Sequence, residues 1–268
     1  MREKKGPPAL RQTQEQFGRQ ARRYAESLLH RRGPTLEIIL RLTAVQPHER
    51  ALDVGTGAGF TAFALAPAAG PLIAIDPTGE MLAEARRLAE ERGLSERIQW
   101  AKATAESLPI RTASLDIITC RFASHHFQDL PAALGEFARV LRPGGRAVIC
   151  DVMAPESAAI VELMNELEKT RDPTHVWNHP LSRWRQDLLP RAGLRAQEVV
   201  QGKNPQLFSE WVHRAGTPAA AVQELLQMFS SASEEARRAF DIRWEGAEVY
   251  FSWDNAVILA TKPAAHKP

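Results

Sequence analysis

Two acidic side chains and a cluster of glycines carry the first recognisable chemistry in this sequence. The stretch Asp53-Val54-Gly55-Thr56-Gly57-Ala58-Gly59 closes one apolar segment, and Asp76-Pro77 closes the next. Glycines in such a loop permit positive φ and let the backbone approach a ligand with no Cβ between them. The helix that follows aims its free N–H groups at whatever sits above, which favours a carboxylate or phosphate. Asp76 is placed to accept both hydroxyls of a ribose. The spacing is G-x-G-x-G; the dinucleotide fingerprint G-x-G-x-x-G would need a glycine where Phe60 stands. Asp53 argues the same way, because a carboxylate beside the loop repels a pyrophosphate and attracts an ammonium or sulfonium. The bland alternative is a tight strand-to-helix turn that holds nothing, and the Asp53/Asp76 pair speaks against it.

His125 and His126 are the second candidates. Neighbouring residues in an extended loop point to opposite sides, so at most one of them faces a pocket. His126 is the expected one, as a general base; the alternative is a loop histidine bonded to backbone. His30, His175 and His179 fall in expected lid segments. His175 and His179 have the i,i+4 spacing of two metal ligands on a helix, but Pro173 and Pro180 bracket them and no third ligand is evident, so no metal site is expected. Cys120 and Cys150 end neighbouring strands and read as core thiols, too few for a disulfide framework.

The elements that must position these residues alternate regularly after residue 34. Pro34 to Val45 reads as a helix with Leu36, Ile39, Leu40 and Thr43 on one face. Ala51 to Val54, Pro71 to Ile75, Ile98 to Ala101, Leu115 to Cys120 and Arg146 to Cys150 read as five strands. Between them a helix starts at Phe60, Thr78 caps another that Gly93 stops, and Asp129 and Pro131 open a third. Strands alternating with helices at this spacing give an α/β fold with a parallel, doubly wound sheet. Ligands bind such sheets at the carboxyl ends of the strands. Beyond Asp151, helices are expected over Ser157 to Thr170, Leu181 to Leu189, and Ser209 to Phe240 with a break at Gly216-Thr217-Pro218. Leu194 to Val200 and Ala256 to Thr261 are the last strands. Five of the six tryptophans lie beyond residue 170, as packing anchors or as the lining of an aromatic pocket.

In this setting Ala51 to Gly59 resembles motif I of the class I S-adenosylmethionine-dependent methyltransferases. Ile75 to Leu82 resembles their second motif, and Ala105-Glu106-Ser107-Leu108-Pro109 their adenine-side loop. Arg121 to Phe127 and Arg139 to Gly145 are similar to the small-molecule branch near the ubiquinone/menaquinone C-methyltransferases. The likeness runs from about Gln16 to Leu194. It implies a Rossmann-like seven-stranded sheet in the order 3-2-1-4-5-7-6, strand 7 antiparallel, with helical lid segments. It also implies S-adenosylmethionine as cofactor and S-adenosylhomocysteine as product. By that resemblance Asp53 orients the methionyl amino group, Gly55, Gly57 and Gly59 pass beneath the methionine part, and Asp76 holds the ribose. Thr56 and Pro77 belong to the same pocket, and Met81 packs on the nucleoside. Ala105 and Glu106 border the adenine, and Arg121 starts the loop near the methyl donor. Where the family often has an acid two residues before Glu106, this chain has Thr104, a weaker acceptor for the adenine amino group. Phe17, Tyr24 and Ser27 resemble the family's covering helix, with Tyr24 reaching the cofactor. The expected division is a basic arm and covering helix (1–33), the cofactor core (34–153), a lid insertion (154–192), strand six (193–202), a second helical lid (203–241), and strand seven with a tail (242–268).

Composition bounds the rest. The chain has 268 residues, 44% hydrophobic and 25% charged, ordinary values for one decorated domain or two small ones. No apolar run approaches the ~18 residues of a membrane helix, and the basic start lacks the apolar core of a signal peptide. A cytoplasmic protein, without membrane insertion, monomeric or homodimeric, is expected. Net charge is +2, yet residues 1–32 hold nine Lys/Arg against three acids, which leaves the remainder acidic. The expected partner is a small-molecule acceptor, planar or apolar in shape. A nucleic-acid methyltransferase using the basic arm is the weaker reading, because Cys120-Arg121-Phe122-Ala123 stands where base N-methylating enzymes carry an Asn/Asp-Pro-Pro-aromatic motif. A protein that binds S-adenosylmethionine for non-methylating chemistry or regulation is the third.

Overall fold

The structure is a computed structural model and describes residues 8–26 and 33–264, with backbone alone for 23–26. Tyr24 therefore lies in a helix whose side chain at that point is outside the described residues, and Ser27 and His30 lie outside them altogether. The chain order is α1 (Pro8–Glu26), α2 (Pro34–Thr43), β1 (Ala51–Val54), α3 (Phe60–Leu65), β2 (Leu72–Asp76), α4 (Gly79–Glu90), β3 (Ile98–Lys102), β4 (Leu115–Arg121), α5 (Leu130–Val140) and β5 (Leu141–Met153). There follow α6 (Ala158–Arg171), a helical run α7 from Leu181 to Arg191 with a π turn over Trp184–Leu188, β6 (Arg195–Leu207), α8 (Phe208–Ala215), α9 (Ala219–Ser230), α10 (Glu234–Ala239), β7 (Arg243–Glu245) and β8 (Glu248–Thr261). No described helix is long and apolar enough to cross a membrane.

The strands form one sheet in the order β3-β2-β1-β4-β5-β8-β6, with β7 paired to β8. The pairs from β3 to β5 are parallel, and β8 runs antiparallel to both β5 and β6. This is the expected doubly wound topology with β8 in the place of the seventh strand. The short β7 was not expected; Gly246 at φ 61° turns it into a hairpin with β8. β1 is buried at every residue because strands flank it and helices cover both faces. Its neighbours diverge at this point, β2 to one side and β4 to the other, so their carboxyl ends open a crevice.

The helices around the crevice follow from sequence. Met81, Leu82, Ala85, Leu88 and Ala89 of α4 are buried, the stripe that their spacing requires. At the start of α5 the Asp129 side chain accepts the Ala132 N–H at 2.9 Å. The region after β6 departs from expectation in two ways. The helical stretch breaks a second time at Ser231–Ser233, where the Ser233 side chain caps α10. Both β6 and β8 are longer than the apolar runs suggested, because β8 carries the polar pair Asp254-Asn255 between two apolar halves.

The two halves of β8 serve different cores. Ala256, Ile258 and Ala260 pack into the main core with α5 and α7. Val249, Phe251 and Trp253 pack with α6, α8 and α9 in a second core. That second core takes up much of the C-terminal aromatic bulk. Trp211 meets Phe229, Phe251 and Trp253 edge-on at centroid distances of 6.1, 5.1 and 6.2 Å, with the Arg171 guanidinium 5.1 Å from its ring. Trp184 is buried in the main core, Trp177 is half-buried, and Trp244 is exposed. Trp211→Ala should therefore cost ~3–5 kcal/mol in guanidinium chloride unfolding, while Trp244→Ala stays within ~0.5 kcal/mol of wild type. Equal losses from the two would show that the second core is not packed as described.

Candidate active site

A cavity of about 440 Å³ lies at the carboxyl ends of β1, β2 and β4. Its floor is the loop after β1. Gly55 sits at φ 65°, and a Cβ there would come within 2.5 Å of the Ala123 Cβ, so the turn and the close approach of the β4 loop both require glycine. The Gly57 N–H donates to Asp76 Oδ2 at 2.9 Å, and the Thr78 N–H donates to Asp76 Oδ1 at 2.8 Å. Asp76 thus ties the glycine loop to the start of α4 while facing the cavity. Each of its oxygens keeps a lone pair for a further donor.

Asp53 differs from expectation. It is 1% exposed and stands behind the cavity wall, where Oδ2 accepts from Thr56 Oγ1 at 2.6 Å and Oδ1 accepts from Thr119 Oγ1 at 2.7 Å. The carboxylate is taken up by the fold, and it acts on the cavity through Thr56, which does line it. Burial pushes the Asp53 carboxyl up to about 6, against the two hydroxyls and the charge of Arg121. Burial likewise pushes Asp76 up to about 6, against the N–H groups of Thr78 and Gly57. Gly59 is also off the wall: it precedes α3 at φ 91° with Phe63 packed against it.

The other expected residues converge. Gly55, Thr56, Gly57, Asp76, Pro77, Met81, Thr104, Ala105, Glu106, Arg121 and His126 all line the same cavity. Glu106 Oε1 also accepts the Gln128 N–H at 2.8 Å, which docks its loop on the segment leading to α5. Arg121 donates from Nε to Thr35 Oγ1 at 3.1 Å, and its guanidinium lies 5.1 Å from the Phe122 ring. The helix α1 roofs the cavity with Ala9, Leu10, Thr13 and Phe17, held by Gln14 on the Pro77 carbonyl at 2.9 Å and Gln16 on the Ala215 carbonyl at 2.7 Å.

The two adjacent histidines part company. His126 lines the cavity, with the Phe17 ring 4.8 Å away edge-on. His125 turns inward, and its Nδ1 meets Asp151 Oδ1 at 2.6 Å. The same carboxylate accepts from Ser124 Oγ and from the Val152 N–H. Burial works against a charge on His125, but the Asp151 carboxylate and its hydrogen bond outweigh it and hold the imidazole above its ordinary range. Burial, and then the charge of His125, push His126 down, so His126 is neutral near pH 7. His175 and His179 lie on an irregular segment and not on a helix; His175 Nε2 bonds Asn165 Oδ1 at 2.8 Å. No metal-ligand cluster occurs among the described residues. Cys120 and Cys150 are buried and free.

Sequence reasoning missed part of the wall. Phe17, Phe60, Phe122 and Phe127 add aromatic surface to the lining, and none of the tryptophans contributes to it. Trp177 instead lines a separate cavity of about 200 Å³ that shares Phe127 and Gln128 with the large one. Phe122 adopts φ 52°, a conformation costly for an aromatic residue, with its N–H bonded to the Cys150 carbonyl at 2.8 Å. No pattern in the sequence announces that backbone.

Comparison with known proteins places this geometry. Residues 52–149 match a family model described as a methyltransferase domain. The chain is 37% identical over 226 residues to the uncharacterized methyltransferase YcgJ of Bacillus subtilis, covering 84% of this chain and 88% of that protein. The crystal structure of YcgJ superposes with a TM-score of 0.83 over 86% of this chain and 99% of that one, at 36% identity. The uncharacterized protein YafE of Escherichia coli is 34% identical over 210 residues, 78% of this chain and 99% of YafE. A demethylmenaquinone methyltransferase of Thermus thermophilus is 40% identical over 114 residues, 41% of this chain and 50% of that enzyme.

The His125–Asp151 pair has a stability signature. Asp151 is held below the usual carboxylate range, so its contribution is present above ~pH 4 and is lost as pH falls further. His125 is held above the usual imidazole range, so its contribution is full below ~pH 6 and is lost as pH rises through its folded value. His125→Gln should cost about 3 kcal/mol, the low end for a broken buried pair because Ser124 and Val152 still bond Asp151. Urea unfolding at several pH values should find the difference largest near ~pH 5–6 and smaller above ~pH 8. A difference that grows with pH would contradict the assignment.

Proposed function

The chain belongs to the class I S-adenosylmethionine-dependent methyltransferases, and on that premise we propose that it methylates a small-molecule acceptor, with the cofactor on the glycine loop and the acceptor beside His126. The observation that carries this reading is a single cavity with the glycine loop and Asp76 on one wall and Phe122, His126 and Phe127 on another. The cofactor fits the donors present. Gly57 faces open space where a Cβ would stand, and Asp76 offers acceptor lone pairs into the cavity, as two ribose hydroxyls need. Met81 and Ala105 offer apolar surface for a purine, Thr104 and Glu106 offer polar atoms at its edge, and Pro77 completes that side. Arg121 and Thr56 sit toward the amino-acid end, with Asp53 behind them as the group that fixes Thr56. By the family resemblance, Tyr24 is assigned to the cofactor's cover as well.

S-adenosylmethionine supplies an activated methyl group when bound, so the protein's work is positioning, exclusion of water and removal of a proton from the acceptor. The roof made by α1 and the apolar lining serve the second of these. His126, neutral near pH 7 and facing the cavity, serves the third. The α6–α7 region and α8 to α10 act as the lid segments that select the acceptor, consistent with loops over the carboxyl edge being where such folds diversify. The phenylalanines on the wall favour a planar or apolar acceptor.

Calorimetry should find S-adenosylmethionine and S-adenosylhomocysteine binding far more tightly than NAD; equal affinity for NAD would sink the reading. Asp76→Ala should weaken cofactor binding by ~1.5–3 kcal/mol with the fold retained. Hydroxyl donors favour the charged carboxylate, so protonating Asp76 opposes binding. Cofactor affinity should be flat above ~pH 7 and fall as pH drops through about 6, with a smaller fall in Asp76→Ala. His126→Ala should leave cofactor affinity near wild type and lower turnover by ~10²–10⁴, followed as release of S-adenosylhomocysteine at saturating cofactor. Affinity and thermal stability falling together would instead mark His126 as structural.

A further inference from the structure

His126 meets a carboxylate through an intermediary. Its Nδ1 lies 3.2 Å from the carbonyl oxygen of Thr174 and 3.3 Å from Thr174 Oγ1. A carbonyl oxygen only accepts, so the nitrogen beside it carries the ring proton. The hydroxyl imposes the same arrangement. Its own proton goes to Asp172 Oδ1 at 2.7 Å, which leaves only lone pairs to face the ring. That carboxylate oxygen also accepts the Thr174 N–H at 2.9 Å and so fixes the turn that presents both Thr174 oxygens. The second ring nitrogen, Nε2, has no hydrogen-bond partner among the described residues.

Asp172 is 1% exposed, and its Oδ2 is buried with no hydrogen-bond partner. An unpaired buried anionic oxygen is costly unless positive charge lies nearby; Arg171, the preceding residue, supplies one such charge, and a protonated His126 supplies a second. The ionisable groups packed about His126 are His125, which is engaged with Asp151, and His175 and Asp172 from the segment after α6. A proton arriving on His126 is the charge that the Asp172 carboxylate stands ready to compensate.

We propose that Thr174 and Asp172 are positioning residues that lock His126 in the Nδ1–H tautomer, so that Nε2 is the atom that receives the acceptor's proton. The proposal rests on His126 serving as the base. The proton leaves the acceptor's nucleophilic atom for Nε2, the ring becomes an imidazolium that still donates Nδ1–H to Thr174, and solvent takes the proton after turnover. Such a device suits an acceptor that must lose a proton, a hydroxyl above all, and is idle for one that is already nucleophilic.

The test is the nitrogen-15 spectrum of histidine-labelled protein near neutral pH, without cofactor or acceptor, with His126→Gln identifying the signal. Wild type should show a pyrrole-type Nδ1 and a pyridine-type Nε2 for His126. Thr174→Ser, which keeps the hydroxyl, should preserve that pattern. Thr174→Val, which loses one of the two acceptors but keeps the carbonyl, should move both resonances part of the way toward a mixture of tautomers, and Asp172→Asn should shift them in the same direction. Asp172→Asn should also lower turnover by ~10-fold or more at saturating cofactor while leaving cofactor affinity unchanged. A wild-type His126 protonated at Nε2, or signals unmoved in both Thr174→Val and Asp172→Asn, would overturn the proposal; the wild-type tautomer decides alone if Asp172→Asn fails to fold. Because the spectrum needs no cofactor, a failed S-adenosylmethionine titration would count against the proposed activity and not against the tautomer.

Discussion

The carboxylate of Asp53, at the centre of the sheet, accepts from one hydroxyl in the glycine loop and one in β4. Everything at the cavity floor depends on that arrangement. It fastens the loop after β1 to the neighbouring strand, and Asp76 fastens the same loop to α4 from the other side. The loop is thus pinned by two buried carboxylates whose pKa values burial raises to about 6, and each is compensated by two short hydrogen bonds from uncharged donors. A floor built this way is rigid before any ligand arrives, which lowers the ordering cost of binding.

The roof is built on different physics. The helix α1 crosses the cavity with a few apolar side chains and two glutamine-to-carbonyl bonds, one to the β2–α4 turn and one to the end of α8. Besides these tethers, Thr13, Gln16, Gln20 and Ala21 are buried against the rest of the molecule.

Much of this was legible in the sequence because it is local. The glycine spacing, the acid that closes the second strand and the stripe of α4 each sit within a few residues of one another, and the resemblance of the motifs supplied the strand order. Other features depend on partners far along the chain. That Asp53 serves the fold more directly than the cavity depends on Thr119, and that His126 faces the cavity while His125 faces inward depends on Asp151 and Thr174. The tryptophans likewise left two readings open, packing anchors or an aromatic pocket, and only the fold separates them. Trp211 and Trp253 fill a second core, as packing anchors do, and the aromatic side chains that line the cavity include four phenylalanines and no tryptophan. The left-handed backbone at Phe122 has no sequence signature, since an aromatic residue is among the last that φ 52° would suggest.

The shared strand β8 has a consequence for the order in which the molecule can assemble during synthesis. Its far half completes the main core and its near half completes the second one, and β6 reaches the sheet only by pairing with β8. A nascent chain that has passed the ribosome only as far as α10 holds the parallel strands and their helices, but leaves an open face on β5 and an unpaired β6. Those exposed edges and apolar faces persist until β8 is translated and inserted between them. Both cores are thus completed only when β8 has been made, and the interval before it is when the growing polypeptide most needs protection from sticking to its neighbours.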